Sequence, residues 1–300
     1  MKTLNRMTGQ THSDRKLWGT LAGIAAAVCY GTNPLGALKL YAEGMQTGSV
    51  LFYRFGLAWL LVALLMLFRK ESVKVTLREF KVLTGLGLLF IVSSLTLYLS
   101  FHQMAAGVAS TILFTYPVMT AVIMAVFFRE VITWHTIVSL LLSTVGVALL
   151  YWGDGSSTLP LLGVLLVLAS ALSYALYIIL VNRSNLQMSS FKINFYVLFY
   201  CALGMVAYSL VSGEPLVLPQ NPVSWFYVGW LAVVPAIFAL VLMVYAAKYV
   251  GSTATAILGA LEPLTAVLIG VFVFGETFTP LLAVGILLIL GAVVLIVLKK

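Results

Sequence analysis

The sequence predicts an all-α integral membrane protein of ten transmembrane helices, arranged as two inverted five-helix repeats with both termini cytoplasmic. Three observations predict it: how little charge the chain carries, how one-sidedly that charge is placed, and a motif that recurs at half the chain length. Hydrophobic residues make up 62% of the 300 and charged residues 9%, with a mean hydropathy of +1.10. A water-soluble domain carries about a quarter charged residues. This chain has too few to solvate a surface, so lipid has to be its outer solvent.

Hydropathy divides the chain into apolar stretches near 17–38, 48–68, 82–101, 107–128, 134–152, 160–181, 193–212, 223–246, 251–273 and 280–298. Each approaches the roughly 20 residues that carry a helix across a hydrocarbon core about 30 Å thick. Runs such as 285–298 are continuously apolar, whereas the strands of a membrane barrel alternate. Residues 1–16 are polar and lead into the first stretch without a small-residue cleavage site, which predicts a cytoplasmic segment followed by a retained helix.

With the N-terminus inside, fifteen of the 17 Lys and Arg fall in the cytoplasmic connections and at the termini, Lys39 alone falls outside, and Arg54 lies within a span. This is the positive-inside pattern and fixes the orientation. It also accounts for the net charge of +8. The cations track the cytoplasmic loops, where they face anionic lipid, and no basic patch interleaves with stacking aromatics, so nucleic acid is not an expected partner. Cys29 and Cys201 both lie within spans and read as small buried hydrophobes. The expected location is a cell inner membrane, crossed many times.

The segment Gln103–Thr133 lies over Tyr249–Thr279 without gaps, so that Pro117 meets Pro263, Phe128 meets Phe274, Glu130 meets Glu276 and Thr133 meets Thr279. Near the start of each half, Trp18-Gly19 through Ala25 to Tyr30 lies over Leu162-Gly163 through Ala169 to Tyr174. The offsets are 146 and 144 residues, so two copies of nearly equal length are expected, at 17–152 and 160–298. An odd number of crossings per copy makes the second enter from the opposite side, an arrangement common in alternating-access transporters.

Tyr30-Gly31-Thr32-Asn33, Tyr53-Arg54-Phe55, Tyr116-Pro117 followed by Arg129-Glu130, and Leu261-Glu262-Pro263 followed by Gly275-Glu276 together resemble the EamA family of the drug/metabolite transporter superfamily, over essentially the whole chain. The resemblance implies a ten-helix bundle with a central cavity, and export or exchange of metabolites.

Ionisable side chains within spans are costly and usually face the bundle interior. Arg54 either snorkels to the headgroups or ties to backbone carbonyls, or else contacts a carboxylate. Glu262, directly before Pro263, needs a partner, water or a proton. It is the candidate for proton coupling and substrate contact, or a structural hydrogen bond between helices. Its counterpart in the first half is Tyr116. Ser94, Tyr98 and His102 form one helical stripe, and Ser170, Ser173, Tyr174 and Tyr177 another; Thr111 and Thr115, and Tyr30 and Asn33, also share faces. As a set they predict a cavity lined by hydroxyls and aromatic faces, suited to amino acids or small amphipathic and aromatic solutes. Glu130 and Glu276 are expected to be structural.

The expected function is a secondary transporter that alternates access around this cavity, with small-molecule solute, bilayer and protons as partners. No phosphate-binding loop or metal-ligand cluster is present in the sequence, so no cofactor is expected. The alternatives are an integral-membrane enzyme acting on a lipid-linked substrate, or a channel. The topology is directly testable. In a chain with Cys29→Ala and Cys201→Ala, single cysteines placed at Thr3 and at Lys300 react with an impermeant maleimide in inside-out vesicles and not in intact cells. Labelling of either in intact cells refutes the orientation.

Overall fold

The architecture, given by a computed structural model, covers residues 2–129, 133–152, 159–250, 255 and 258–297. Among these described residues there are helices and connections and no strand. The first half comprises α1 (Lys2–Gly31), α2 (Asn33–Ala42), α3 (Thr47–Phe68), α4 (Leu77–Ser100), α5 (Ala106–Leu113), α6 (Tyr116–Phe128) and α7 (Trp134–Trp152). The second comprises α8 (Leu161–Ser184), α9 (Ser190–Ser212), α10 (Pro222–Val233), a π-helical turn (Val234–Phe238), α11 (Ala239–Val250), α12 (Leu261–Phe274) and α13 (Pro280–Val297).

Seven helical segments are long and apolar enough to cross a membrane: Lys16–Ala42, Thr47–Phe68, Leu77–Ser100, Ala106–Phe128, Leu161–Ser184, Ser190–Ser212 and Pro222–Val250. Three further apolar helices, Trp134–Leu150, Leu261–Phe274 and Pro280–Leu295, are shorter. The described residues thus hold ten apolar helical segments, and the three shorter ones border residues outside the described set. α12 has 14 residues, about 21 Å at 1.5 Å per residue; much of the ninth apolar stretch ahead of it lies outside the described residues.

Local chemistry sets several helix ends. Thr76 and Glu79 form a reciprocal cap at the start of α4: the Thr76 N–H donates to Glu79 Oε2 at 2.7 Å and the Glu79 N–H to Thr76 Oγ1 at 3.3 Å. Ser189 accepts from the Lys192 N–H at the start of α9, and Asn221 from the Ser224 N–H at the start of α10. α9 and α12 end on Gly213 and Gly275, at φ 74° and 69°, where a side chain would be strained.

The halves interleave. α1 packs on α11 and α12, and its sequence counterpart α8 packs on α4 and on α6. α3 packs on α9, α5 on α12 and α7 on α13; α9 also packs on α4, and α3 on α10. With the halves exchanged, each of these pairs maps onto itself or onto another, except α5 with α12, because the counterpart of α5 lies largely outside the described residues. One close approach even recurs at the offsets found in the sequence. A Cβ on Gly19 would lie 2.7 Å from Tyr249 Cβ, and one on Gly163 would lie 2.9 Å from Gln103 Cβ. Small residues permit such crossings where lipid supplies no hydrophobic drive between helices. α7 and α13 meet the same way: a Cβ on Gly146 would sit 3.0 Å from the Gly285 carbonyl oxygen, and one on Gly285 would sit 3.1 Å from that of Gly146.

Glu276, between α12 and α13, joins the halves at another point. Its Oε1 accepts from the Ala106 N–H at 2.8 Å, and the Gly107 N–H also donates to the carboxylate. The side chain so closes the first turn of α5, where unpaired N–H groups and the helix dipole favour an anion. Gly107 and Gly270 leave the room it occupies; a Cβ on Gly270 would collide with it. Glu130, expected to be structural in the same way, lies outside the described residues. Burial raises the Glu276 carboxyl above the usual range, and the two N–H donors partly offset this. Glu276→Ala is expected to cost about 2 kcal/mol, as loss of a hydrogen-bonded charge does, measured by thermal unfolding in detergent. A raised folded-state value means the folded protein binds the proton more tightly. The wild type therefore loses stability relative to Glu276→Gln as pH rises from the ordinary carboxyl range through the raised one.

Candidate binding site between the two halves

Prolines break the helices that converge between the halves. Pro34 follows the α1–α2 junction, Pro117 and Pro263 stand in the first turns of α6 and α12, and Pro235 lies in the π-helical turn. Each has no N–H to give to the carbonyl four residues back. At Pro34 that carbonyl belongs to Tyr30, and the neighbouring side chain replaces the missing donor: Asn33 Nδ2 donates to the Tyr30 oxygen at 2.9 Å. Thr32 Oγ1 donates to the Cys29 oxygen at 2.7 Å and accepts from Trp230 Nε1 at 3.2 Å. The break is thereby tied to α10 of the other half. Asn33 thus serves the backbone through its amide nitrogen, and its Oδ1 is buried without a partner.

Immediately beyond the last turn of α1, the chain meets α12. A Cβ on Gly31 would lie 2.6 Å from the Glu262 carbonyl oxygen and 2.5 Å from Thr265 Cβ, so the two backbones touch. Tyr30 is within electrostatic reach of Glu262, Tyr177 and Arg54, Tyr116 of Glu262 and Tyr30, and Tyr174 of all four of Tyr30, Tyr116, Tyr177 and Glu262. The Tyr116 and Tyr174 rings meet edge to face with centroids 4.7 Å apart, and those of Tyr174 and Tyr177 stack at 5.8 Å. At the repeat offsets Tyr30 corresponds to Tyr174 and Glu262 to Tyr116, so the Tyr174–Tyr116 ring contact has its counterpart in the proximity of Tyr30 to Glu262. Tyr30, Tyr116, Tyr174 and Glu262 are each half-buried. The Glu262 carboxylate makes no hydrogen bond or ion pair among the described residues.

Arg54 does not snorkel. Its Nη1 donates to the Tyr98 hydroxyl, its guanidinium carbon lies 5.4 Å from the Phe55 and Tyr98 ring centroids, and its buried Nε has no partner. The guanidinium therefore turns inward, held by a hydroxyl and two ring faces where backbone carbonyls were the expected tie.

Apart from Ser173, the other candidate positions stand away from the tyrosine cluster. His102 is at an exposed rim, stacked on Tyr41 at 4.1 Å with Nε2 3.0 Å from Thr47 Oγ1. Partial burial lowers its imidazole below the ordinary range, against the pull of Glu214. Thr115 lines a separate cavity of about 200 Å³ with Leu140, Ser143 and Leu168, its hydroxyl unpartnered. Ser94 is buried, and it is Ser93 that bonds across to Ser170, with hydroxyls 3.2 Å apart. Ser173 is half-buried beside Tyr174. Sequence reasoning missed Phe90, whose ring joins Tyr177 at 5.4 Å to Phe55 at 6.1 Å; an isolated Phe in an apolar run carries no signal.

The role of Asn33 is open to a double-mutant cycle. Asn33→Ala leaves the Tyr30 carbonyl unpaired and is expected to cost about 1–3 kcal/mol. In a Pro34→Ala background a backbone N–H can supply the bond, so the cost falls by about 1 kcal/mol. Equal costs in the two backgrounds refute the repair.

Similarity to known proteins agrees with this architecture. A solved crystal structure superposes on 92% of this chain and 95% of its own, with a TM-score of 0.66 at 18% identity, which shows a shared fold. An uncharacterized transporter of Archaeoglobus fulgidus is 28% identical over 218 residues, covering 73% of this chain and 77% of that protein. Uncharacterized transporters of Synechocystis and Bacillus subtilis are 26% and 25% identical, over 72% and 65% of this chain and 66% and 63% of their own lengths. The model of the EamA-like transporter family matches twice, at residues 17–152 and 161–298. The chain is a multi-pass membrane protein and belongs to the EamA-like transporter family.

Proposed function

We propose that the protein is a secondary transporter of an inner membrane, with ten spans in two inverted halves and both termini cytoplasmic. It alternates access around the space that Tyr30, Tyr116, Tyr174 and Glu262 face. The larger contacts between halves, such as α1 with α11 and α8 with α4, exchange in pairs and support a twofold relation, which five spans per half would make an inversion.

The observation that carries the reading is Glu262. A carboxylate buried between helices with no cation or donor among the described residues costs several kcal/mol, and a ligand that supplies the missing charge recovers that cost on binding. Tyrosine faces around it favour a cation and an apolar body together, and Arg54 has an unused buried donor for an anionic group. The solute class that fits is a small amphipathic metabolite bearing an ammonium group, amino acids included. In the absence of solute, a proton can take the same carboxylate, which would couple the two fluxes.

Uptake into liposomes with and without an imposed pH gradient tests this. Wild type is expected to accumulate solute with the gradient. Glu262→Gln is expected to lose at least tenfold of gradient-driven accumulation and, having lost the charge that pairs with the ammonium group, to exchange preloaded solute more slowly as well. Equal accumulation by both proteins refutes the role of Glu262.

A further inference from the structure

We propose that a second cleft, remote from Glu262, holds one anionic phospholipid. The cleft measures about 660 Å³ and is lined by Arg69, Glu71, Ser190, Val241, Val244 and Lys248, among others. That is within the size range of sites that bind small organic ligands. Its walls come from both halves: the end of α3 and the connection to α4 on one side, the start of α9 and the length of α11 on the other.

The lining is divided as a phospholipid is divided. Along α11, Val241, Val244 and Tyr245 are exposed at 46%, 52% and 40% because α11 packs on α1 with its other side. In a membrane protein such a surface meets acyl chains. At the polar end stand Arg69 and Lys248. The Arg69 guanidinium is held 4.9 Å from the Phe191 ring centroid, with its planar fork available for phosphate. The start of α9, at Ser190 and Phe191, opens onto the same end and adds its helix dipole. Glu71 accepts from the Ser189 hydroxyl and so pins the α3–α4 connection to α9. Two cations against one carboxylate leave one positive charge, the complement of a single phosphodiester. The surrounding Lys70, Lys74 and Lys192 put this end at the leaflet where polybasic segments attract anionic lipid. A lipid seated here would touch α3, α9 and α11 at once and so bear on how the halves move against each other.

The experiment is thermal unfolding of the full chain in detergent, titrated with phosphatidylglycerol, with phosphatidylcholine of the same chains, or with glycerol phosphate. A ligand bound to the folded state raises the unfolding temperature by mass action. Phosphatidylglycerol is expected to raise that of wild type by several degrees, and phosphatidylcholine and glycerol phosphate by little. R69Q/K248Q should lose most of the increment, and so should V244W, which fills the apolar wall at an exposed position. R78Q/K81Q, which alters cations outside the cleft, should keep it. An undiminished increment in both cleft variants overturns the proposal. So does an equal response to phosphatidylcholine, or a full response to glycerol phosphate, which would mark a site for a soluble anion. The readout involves no transport, so it stands or falls separately from the role of Glu262.

Discussion

In hydrocarbon a freed backbone carbonyl has no water to turn to, and each one left unpaired costs several kcal/mol. This chain nevertheless places proline in the interior of four of its apolar segments, at Pro34, Pro117, Pro235 and Pro263, besides Pro160 and Pro280 at segment starts. Such breaks persist only where protein or an enclosed polar space receives the freed groups. At Pro34 the replacement donor is the side chain of Asn33, and the adjacent Thr32 is tied across the halves to Trp230. The breaks therefore belong in the middle of the bundle, and the polar side chains beside them, Tyr30, Tyr116 and Glu262, are drawn to the same place.

The second consequence concerns symmetry. Gly19 against Tyr249 and Gly163 against Gln103 are one contact made twice, and the rings and carboxylate at the centre follow the same exchange. Within that repeated frame, one pair differs in kind. Where the first half sets Tyr116 against Tyr174, the second sets Glu262 against Tyr30. On the proposed function, a near-twofold scaffold with Glu262 on one side only would give a bound solute a defined polarity while the frame rocks toward either side.

Much of this was legible in sequence because lipid imposes it. Helix, hydropathy and the proline positions follow from the need to satisfy the backbone, and the Glu262–Tyr116 correspondence follows from counting residues. What was not legible depended on which way a side chain turns. Arg54 reads equally as a snorkelling cation until the Tyr98 hydroxyl, 44 positions away, is seen beneath it. Ser94 fits a stripe with Tyr98, yet the residue facing Ser170 is its neighbour Ser93, a difference of about 100° around the helix. Asn33 shares a face with Tyr30 and reads as a cavity residue. Its position directly before Pro34 was the signal that half its side chain is committed to the backbone.

The central claim is that the space beside Tyr174 opens in turn to each side of the membrane. It is tested most directly by a single cysteine at Ser173 in a chain lacking Cys29 and Cys201, reacted in sealed vesicles of either orientation with an impermeant thiol reagent. The account predicts reaction from both sides, with saturating solute shifting the two rates in opposite directions. Reaction from one side only, or rates from both sides that solute lowers together, would contradict it.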